Sequence, residues 1–316
     1  MMFRNSHRLL LSNFITVWKV LVYQIIVFLT TFSVATIFSL PLVNALKDNN
    51  FFELVKTEFG AITFQLNLAN ILNSLYTVGQ EFFAIIGNNL DTVLFSFIMV
   101  VLVLFLLGGF LMGLSKLALT EMLNGYMSSY ANYSFTSSYV RTFKKSVTLQ
   151  LFRLLINLPI NLLILTIIYF TLPLLSATGF LGVLAPFIII LVATLLLATN
   201  LTVFSGVAPA IVVHDYSVLK AYSLGFQAVK RRFFKTLSTS IAIILVILSV
   251  NLFLFVLTSG VSCIITLPAS TFLLAIFPMV MYYGSMGMRY YVDPETILSP
   301  KKLEEQDSLN KAKFII

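Results

Sequence analysis

Charge is what this chain has least of. Between Arg153 and His214 run 60 residues without Asp, Glu, Lys, Arg or His, and between Lys235 and Arg289 run 53 more. Shorter uncharged windows cover residues 20–46 and 92–115. Soluble domains are about 25% charged, against 10% here, so the length of the chain is not evidence for two soluble domains. Cysteine is nearly absent too, and Cys263 alone excludes an intramolecular disulfide and a thiol metal site. Only His7 and His214 offer imidazole, and HExxH, CxxC and P-loop spacings are missing. Metal, nucleotide and redox chemistry therefore find no support, and no cofactor is expected.

What is present is hydrophobic, 59% of all residues. A bilayer core about 30 Å thick takes roughly 20 apolar residues of helix, so the four uncharged windows hold one, one, two and two crossings. The spacing predicts an all-α, polytopic transmembrane bundle with spans at 20–43, 93–114, 154–174, 183–205, 237–258 and 267–288. Residues 1–290 form the transmembrane domain and 291–316 a short tail, too small for an enzyme domain. Arg4, His7 and Arg8 ahead of Leu9 give a signal-peptide-like start, but Lys19 interrupts the apolar region and a full span follows. The first span is expected to stay as an anchor.

The net charge of +8 raises the question of nucleic acid, and the placement of the charges answers it. Segments 1–19, 115–153, 214–235 and 289–316 all face one side and carry 3, 5, 5 and 5 Lys or Arg, eighteen of the chain's 20. The other side keeps Lys47 and Lys56, with Asp48, Glu53, Glu58, Glu81 and Asp91. The positive-inside rule then puts both termini in the cytoplasm of a cell membrane. The expected partners are the lipid bilayer, anionic lipid headgroups drawn to the basic segments and a membrane-protein partner, with no role for nucleic acid.

Residues 47–92 separate the first two spans. Phe52, Val55, Phe59, Ile62, Leu66 and Ala69 recur at helical steps, continued by Leu72, Tyr76, Phe82 and Ile86. This predicts an outer amphipathic helix. A weak internal repeat precedes each odd-numbered span: Trp18-Lys19, Phe152-Arg153 and Phe234-Lys235 each set an aromatic ring and a cation at the entry to an apolar run. Such pairs are interfacial anchors. The simplest account is three pseudo-repeated units, each a cytoplasmic interfacial helix followed by a helical hairpin. With its basic-aromatic elbows, this pattern over residues 1–290 resembles bacterial six-span membrane-protein families that include the membrane domain attached to some glycerophosphodiester phosphodiesterases. The resemblance implies an integral membrane module connected with lipid or envelope processes, and carries over no functional residue.

Polar groups inside the spans are amides and hydroxyls, with no ionisable group deep in any of them. Asn157, Asn161, Asn200 and Asn251 must find partners in hydrocarbon, which favours bonds between helices. Pro159, Pro173, Pro186, Pro209, Pro268 and Pro278 each disturb a helical ladder, and broken helices make solute sites in transporters. Asn161 and Asn200 would be the solute contacts of such a site. Gly109 and Gly113 give a small-xxx-small spacing that permits close helix packing. His214-Asp215 is a proton-shuttling pair in one reading and the first solvated dipeptide after a span in the other. The leading expectation is a non-enzymatic membrane protein with an envelope, lipid-related or complex-assembly role. The alternative is a transporter or permease subunit for an uncharged or zwitterionic solute.

Overall fold

The structure, a computed structural model, describes residues 2–62, 68–171, 180–230, 232–258, 260–293 and 295–298. Five helical stretches within it are long and apolar enough to cross a membrane: Ile15–Asp48, Leu90–Ser129, Ile190–His214, Phe233–Leu257 and Cys263–Met286. The expected span 154–174 falls on α7 (Phe135–Thr171) and runs into residues outside those described. Pro173 lies there as well.

The remaining elements are α1 (Met2–Ser12), α2 (Ile15–Asp48), α3 (Phe51–Ile62), α4 (Leu68–Asn88), α5 (Leu90–Leu102), α6 (Gly109–Ser129), α8 (Phe180–Phe204), α9 (Val207–His214), α10 (Val218–Lys230), α11 (Phe233–Leu257), α12 (Cys263–Met286), β1 (Tyr290–Asp293) and β2 (Thr296–Leu298). A π-helical turn, Val103–Gly108, joins α5 to α6. The expected pre-span helices exist as separate elements at α1 and α10. The middle one does not, because α7 passes from Phe135 through Phe152-Arg153 as one helix of 37 residues. Nothing between Thr136 and Leu158 is a proline or glycine that would end it.

The chain forms two compact units, one of residues 1–24, 113–150 and 197–316, the other of residues 25–112 and 151–196. In the first unit, α12 is the centre. Phe272, Ile276, Phe277 and Met279 are almost completely buried among Leu9, Val17, Leu119, Leu123 and Met127. Gly287, at φ 69°, ends α12 with the Met288 N–H donating to the Tyr283 carbonyl at 3.0 Å. This left-handed cap suits glycine because it has no Cβ. The chain then turns into an antiparallel hairpin pairing Tyr290 with Leu298 and Tyr291 with Ile297. The Asn5 side-chain amide donates to the Tyr290 hydroxyl at 3.0 Å, tying α1 to β1.

In the second unit, α3 and α4 form a helical pair over Leu42, Leu46 and Val93, with Phe51, Ile85 and Ile86 buried between them. The packed stripe is Phe51, Leu54, Val55, Val78, Phe82, Ile85 and Ile86. Of the stripe expected for residues 47–92, Val55, Phe82 and Ile86 lie in it, while Phe52 and Phe59 are exposed at 50% and 40%. The segment is two helices rather than one, so a single 3.6-residue count does not carry through it. Leu66 lies outside the described residues, and the side chains of Ile62, Ala69 and Leu72 are not described. Elsewhere in this unit the helices present large apolar side chains outward, including Phe28, Phe32, Ile37, Phe95 and Phe105. Hydroxyls on these surfaces are satisfied within their own helix, Thr30 donating to Ile26 O at 2.8 Å and Thr36 to Phe32 O at 2.9 Å. In lipid, backbone and side-chain polar groups have to be satisfied internally.

Candidate functional site

Asn161 and Asn200 are the expected solute contacts. The side chain of Asn161 is not described, and Asn200 is half-buried on α8. Asn251 joins two helices instead: its amide donates to Ser270 Oγ on α12 at 2.9 Å and to Ile247 O on its own helix at 2.7 Å. Gln24 on α2 likewise donates to Thr271 Oγ1 at 2.8 Å, and Thr202 pairs with Ser240 at 2.9 Å between α8 and α11. The helices α7 and α12 continue through Pro159, Pro268 and Pro278, while Pro209 stands in the first turn of α9, just after the α8–α9 break. Interruptions fall at the π turn and at Ser205–Gly206 between α8 and α9.

Of the three aromatic-cation pairs, two are exposed. Trp18 is 51% and Phe234 83% accessible, with Lys19 and Lys235 beside them, as suits headgroup-level anchors. Phe152 and Arg153 are half-buried inside α7. The glycine pair also divides. A Cβ added at Gly109 meets nothing within 4 Å, whereas one at Gly113 runs into the Gln150 side chain of α7. There the Gln150 amide donates to the Gly113 carbonyl at 2.6 Å. The glycine that approaches a neighbouring helix in the second unit is Gly108, whose added Cβ would sit 3.2 Å from Thr31 Cγ2. Gly109 and Gly113 stand about one turn apart on the same regular helix, α6, so the spacing puts them on one face, but a neighbouring side chain stands only against Gly113.

Each of the described ion pairs ties a basic segment to another element of the first unit. Arg8 of α1 pairs with Asp293 of β1, Arg141 of α7 with Glu121 of α6, and Lys145 of α7 with Asp215 after α9. Asp215 sits at φ 54°, and Lys145 donates to both its carboxylate (2.5 Å) and its carbonyl (3.2 Å), closing the C-terminal end of α9. The hydrogen bond and charge of Lys145 hold the Asp215 carboxyl below the usual value. Asp293 is lowered by a hydrogen bond from Thr296, with Arg8 contributing. Asp215 is thus engaged by lysine, and His214 packs between the Tyr216 and Tyr282 rings at 5.3 and 5.9 Å. This geometry favours an ion-paired helix end over a proton-shuttling pair. No group of three or more His, Cys, Asp or Glu stands ready for a metal among the described residues.

Beside these pairs lies a cleft of about 260 Å³. Its first wall is the elbow between α1 and α2. There Ser12 and Asn13 turn their side chains back onto the Arg8 and Leu9 carbonyls (2.9 and 3.1 Å), and the chain re-enters helix as the Thr16 N–H donates to Asn13 O at 2.9 Å. Such back-bonding by Ser and Asn competes with the helical ladder. The second wall is the loop from α6 to α7. Tyr130 takes φ 56° and the Ala131 N–H donates to Gly125 O at 3.1 Å, folding Tyr133 against Gly125. A Cβ at Gly125 would collide with that ring, so glycine sets the position of the loop. Lys19, Tyr126, Asn132 and Tyr133 line the opening, with Leu123 and Phe272 below. The Arg141 guanidinium lies 5.4 Å from the Tyr133 ring centroid.

A close backbone contact in the first unit gives no sequence signal. Gly206, at the α8–α9 break, faces Gly225 of α10 so closely that a Cβ on either residue would come within 2.7 Å of the other's backbone. Small-xxx-small spacing finds pairs on one helix, and these two glycines sit on different ones. Comparison of the chain with protein-family models, curated proteins and solved structures gives no match.

Proposed function

We infer that the chain is a non-enzymatic, six-span protein of a bacterial-type plasma membrane, with both termini in the cytoplasm, serving an envelope, lipid-related or complex-assembly role. One observation carries the reading. The described ion pairs and inter-helix hydrogen bonds each join one element to another, as in Arg8–Asp293, Lys145–Asp215 and Asn251–Ser270, and so spend polar groups on holding a shape. A catalyst needs a nucleophile, a base and an orienting group converging on one point. A carrier needs polar contacts facing a path. Rigid ties from the basic segments suit a scaffold that presents a fixed cytoplasmic face to lipid or to another membrane protein.

The test is a deletion strain examined for phospholipid composition and for the membrane complexes that co-purify with the tagged full chain. A changed lipid profile or a lost complex, restored by the parent and by an Asn200→Leu variant alike, is the expected result. Loss of uptake of a defined solute in a stably folded Asn200→Leu variant would replace this reading with a transporter.

A further inference from the structure

Resting on that reading, we propose that the cleft between the α1–α2 elbow and the α6–α7 loop binds the phosphate of an anionic phospholipid headgroup, with the Lys19 ammonium as its counter-charge. Lys19 is the single charged residue lining the cleft, and no carboxylate lines it. Among the described residues none of the ion pairs engages Lys19. Around it stand Tyr126, Asn132 and Tyr133, every one with an O–H or N–H donor, while Ser12 and Asn13, whose side chains bond the Arg8 and Leu9 carbonyls, hold the elbow that forms the other wall. Phosphate oxygens accept from such groups and gain most from a charged donor. Its volume of about 260 Å³ is small for a drug-sized ligand, and suits a headgroup whose chains remain outside.

The surroundings favour a lipid as the source of the phosphate over a soluble one. Leu11 is 72% and Ile15 76% exposed on the elbow at the edge of the cleft, with Trp18 one residue before Lys19. An ion from solution gains nothing from these apolar side chains. A lipid whose phosphate sits on Lys19 lays its acyl chains against them.

Trp18 is the chain's single tryptophan and a built-in reporter. The purified full chain in detergent is titrated with a short-chain phosphatidylglycerol, the matching phosphatidylcholine and inorganic phosphate, following Trp18 fluorescence. Phosphatidylglycerol should give a saturable change that phosphatidylcholine does not. Lys19→Gln should raise the half-saturating concentration about tenfold, the loss of one charged hydrogen bond, and Lys19→Arg should restore it. Asn132→Asp, which puts a carboxylate on a loop at the opening, should weaken binding without touching a helix, and it carries the test if Lys19→Gln fails to fold. Equal binding of both lipids, no saturable binding, or unchanged binding by a folded Lys19→Gln overturns the site. Inorganic phosphate binding as tightly as phosphatidylglycerol overturns the lipid assignment. None of these outcomes touches the scaffold reading, which fails separately if the deletion strain keeps its lipids and complexes.

Discussion

One helical stretch, Leu90–Ser129, runs through both units of the molecule, and its two parts behave differently. In the part before Gly113, Phe95 and Phe105 are exposed at 69% and 65%; in the part after it, Leu117, Leu123 and Met127 are at 0–1%. α12 repeats the contrast within one unit, with Ile264 and Leu267 exposed at 54% and 52% and Phe272 and Phe277 closed off. The two kinds of surface are equally apolar. In the bilayer a leucine needs no protein partner, because lipid tails are as apolar as leucine itself. Hydropathy therefore marks the helices but does not separate residues packed on protein from residues left to lipid.

The largest expected effect tests that division directly. Phe277→Ala removes a fully buried ring from the centre of the first unit and should destabilise the protein by about 3–5 kcal/mol. Phe95→Ala removes an equal ring from an exposed surface and should stay within about 0.5 kcal/mol. Denaturant titration in the same detergent measures both. Equal losses would mean that the exposed ring is covered by a partner.

Glycines sharpen the contrast at the level of backbone. Gly225→Ala should cost about 1–3 kcal/mol or more, because the new methyl would meet Gly206 backbone that has no rotamer to move. Gly109→Ala enters open space and should be neutral or stabilising by about 0.5–1 kcal/mol from helix propensity. Gly113→Ala should fall between them, since Gln150 can swing away only by giving up its bond to the Gly113 carbonyl. Thermal melting of the three variants gives the order, and a destabilised Gly109→Ala would restore that residue as a packing position.

These particular residues show how far sequence reaches here. Long uncharged runs mark apolar helices because the bilayer imposes their length, and among the described residues five helices are long and apolar enough to cross a membrane, against six spans expected. Trp18-Lys19 and Phe234-Lys235, read as anchors, are exposed, whereas Phe152-Arg153 is half-buried inside α7. Gly109 was read with Gly113 as a close-packing pair because the two share a helix face, but spacing on one helix does not say where along it a neighbouring helix stands. The cleft at Lys19 was only half legible. Its lysine was seen as an anchor, while Asn132 and Tyr133 arrive from more than 110 positions away, through a loop whose course depends on Gly125.

Inter-helix hydrogen bonds give a smaller effect. Asn251→Ala removes the bond to Ser270 between α11 and α12 and should cost about 0.6–2 kcal/mol. Thr36→Val removes only a bond to its own helix on an exposed surface and should change stability by less than about 0.5 kcal/mol. A double variant of Asn251 and Ser270 should lose no more than the single one if the two act as a pair.

The smallest effect is electrostatic and belongs to the first unit. Asp215 and Asp293 are both held below the ordinary carboxylate value of 3.8, the first by the Lys145 hydrogen bond and charge, the second by Thr296 and then Arg8. A depressed native value means that the unfolded chain binds protons more readily at these sites. Their contribution is complete above the unfolded-state value and is lost as the pH falls through the lower native one. Melting should accordingly be insensitive to these two groups above about pH 5 and decline below it. The Asp215→Asn and Asp293→Asn variants should each lose part of that acid-side slope. Because Arg8–Asp293 and Lys145–Asp215 lie at the surface, raising the salt should shrink the difference between parent and variant. An acid-side slope unchanged in both variants would show that the pairs do not stabilise the first unit.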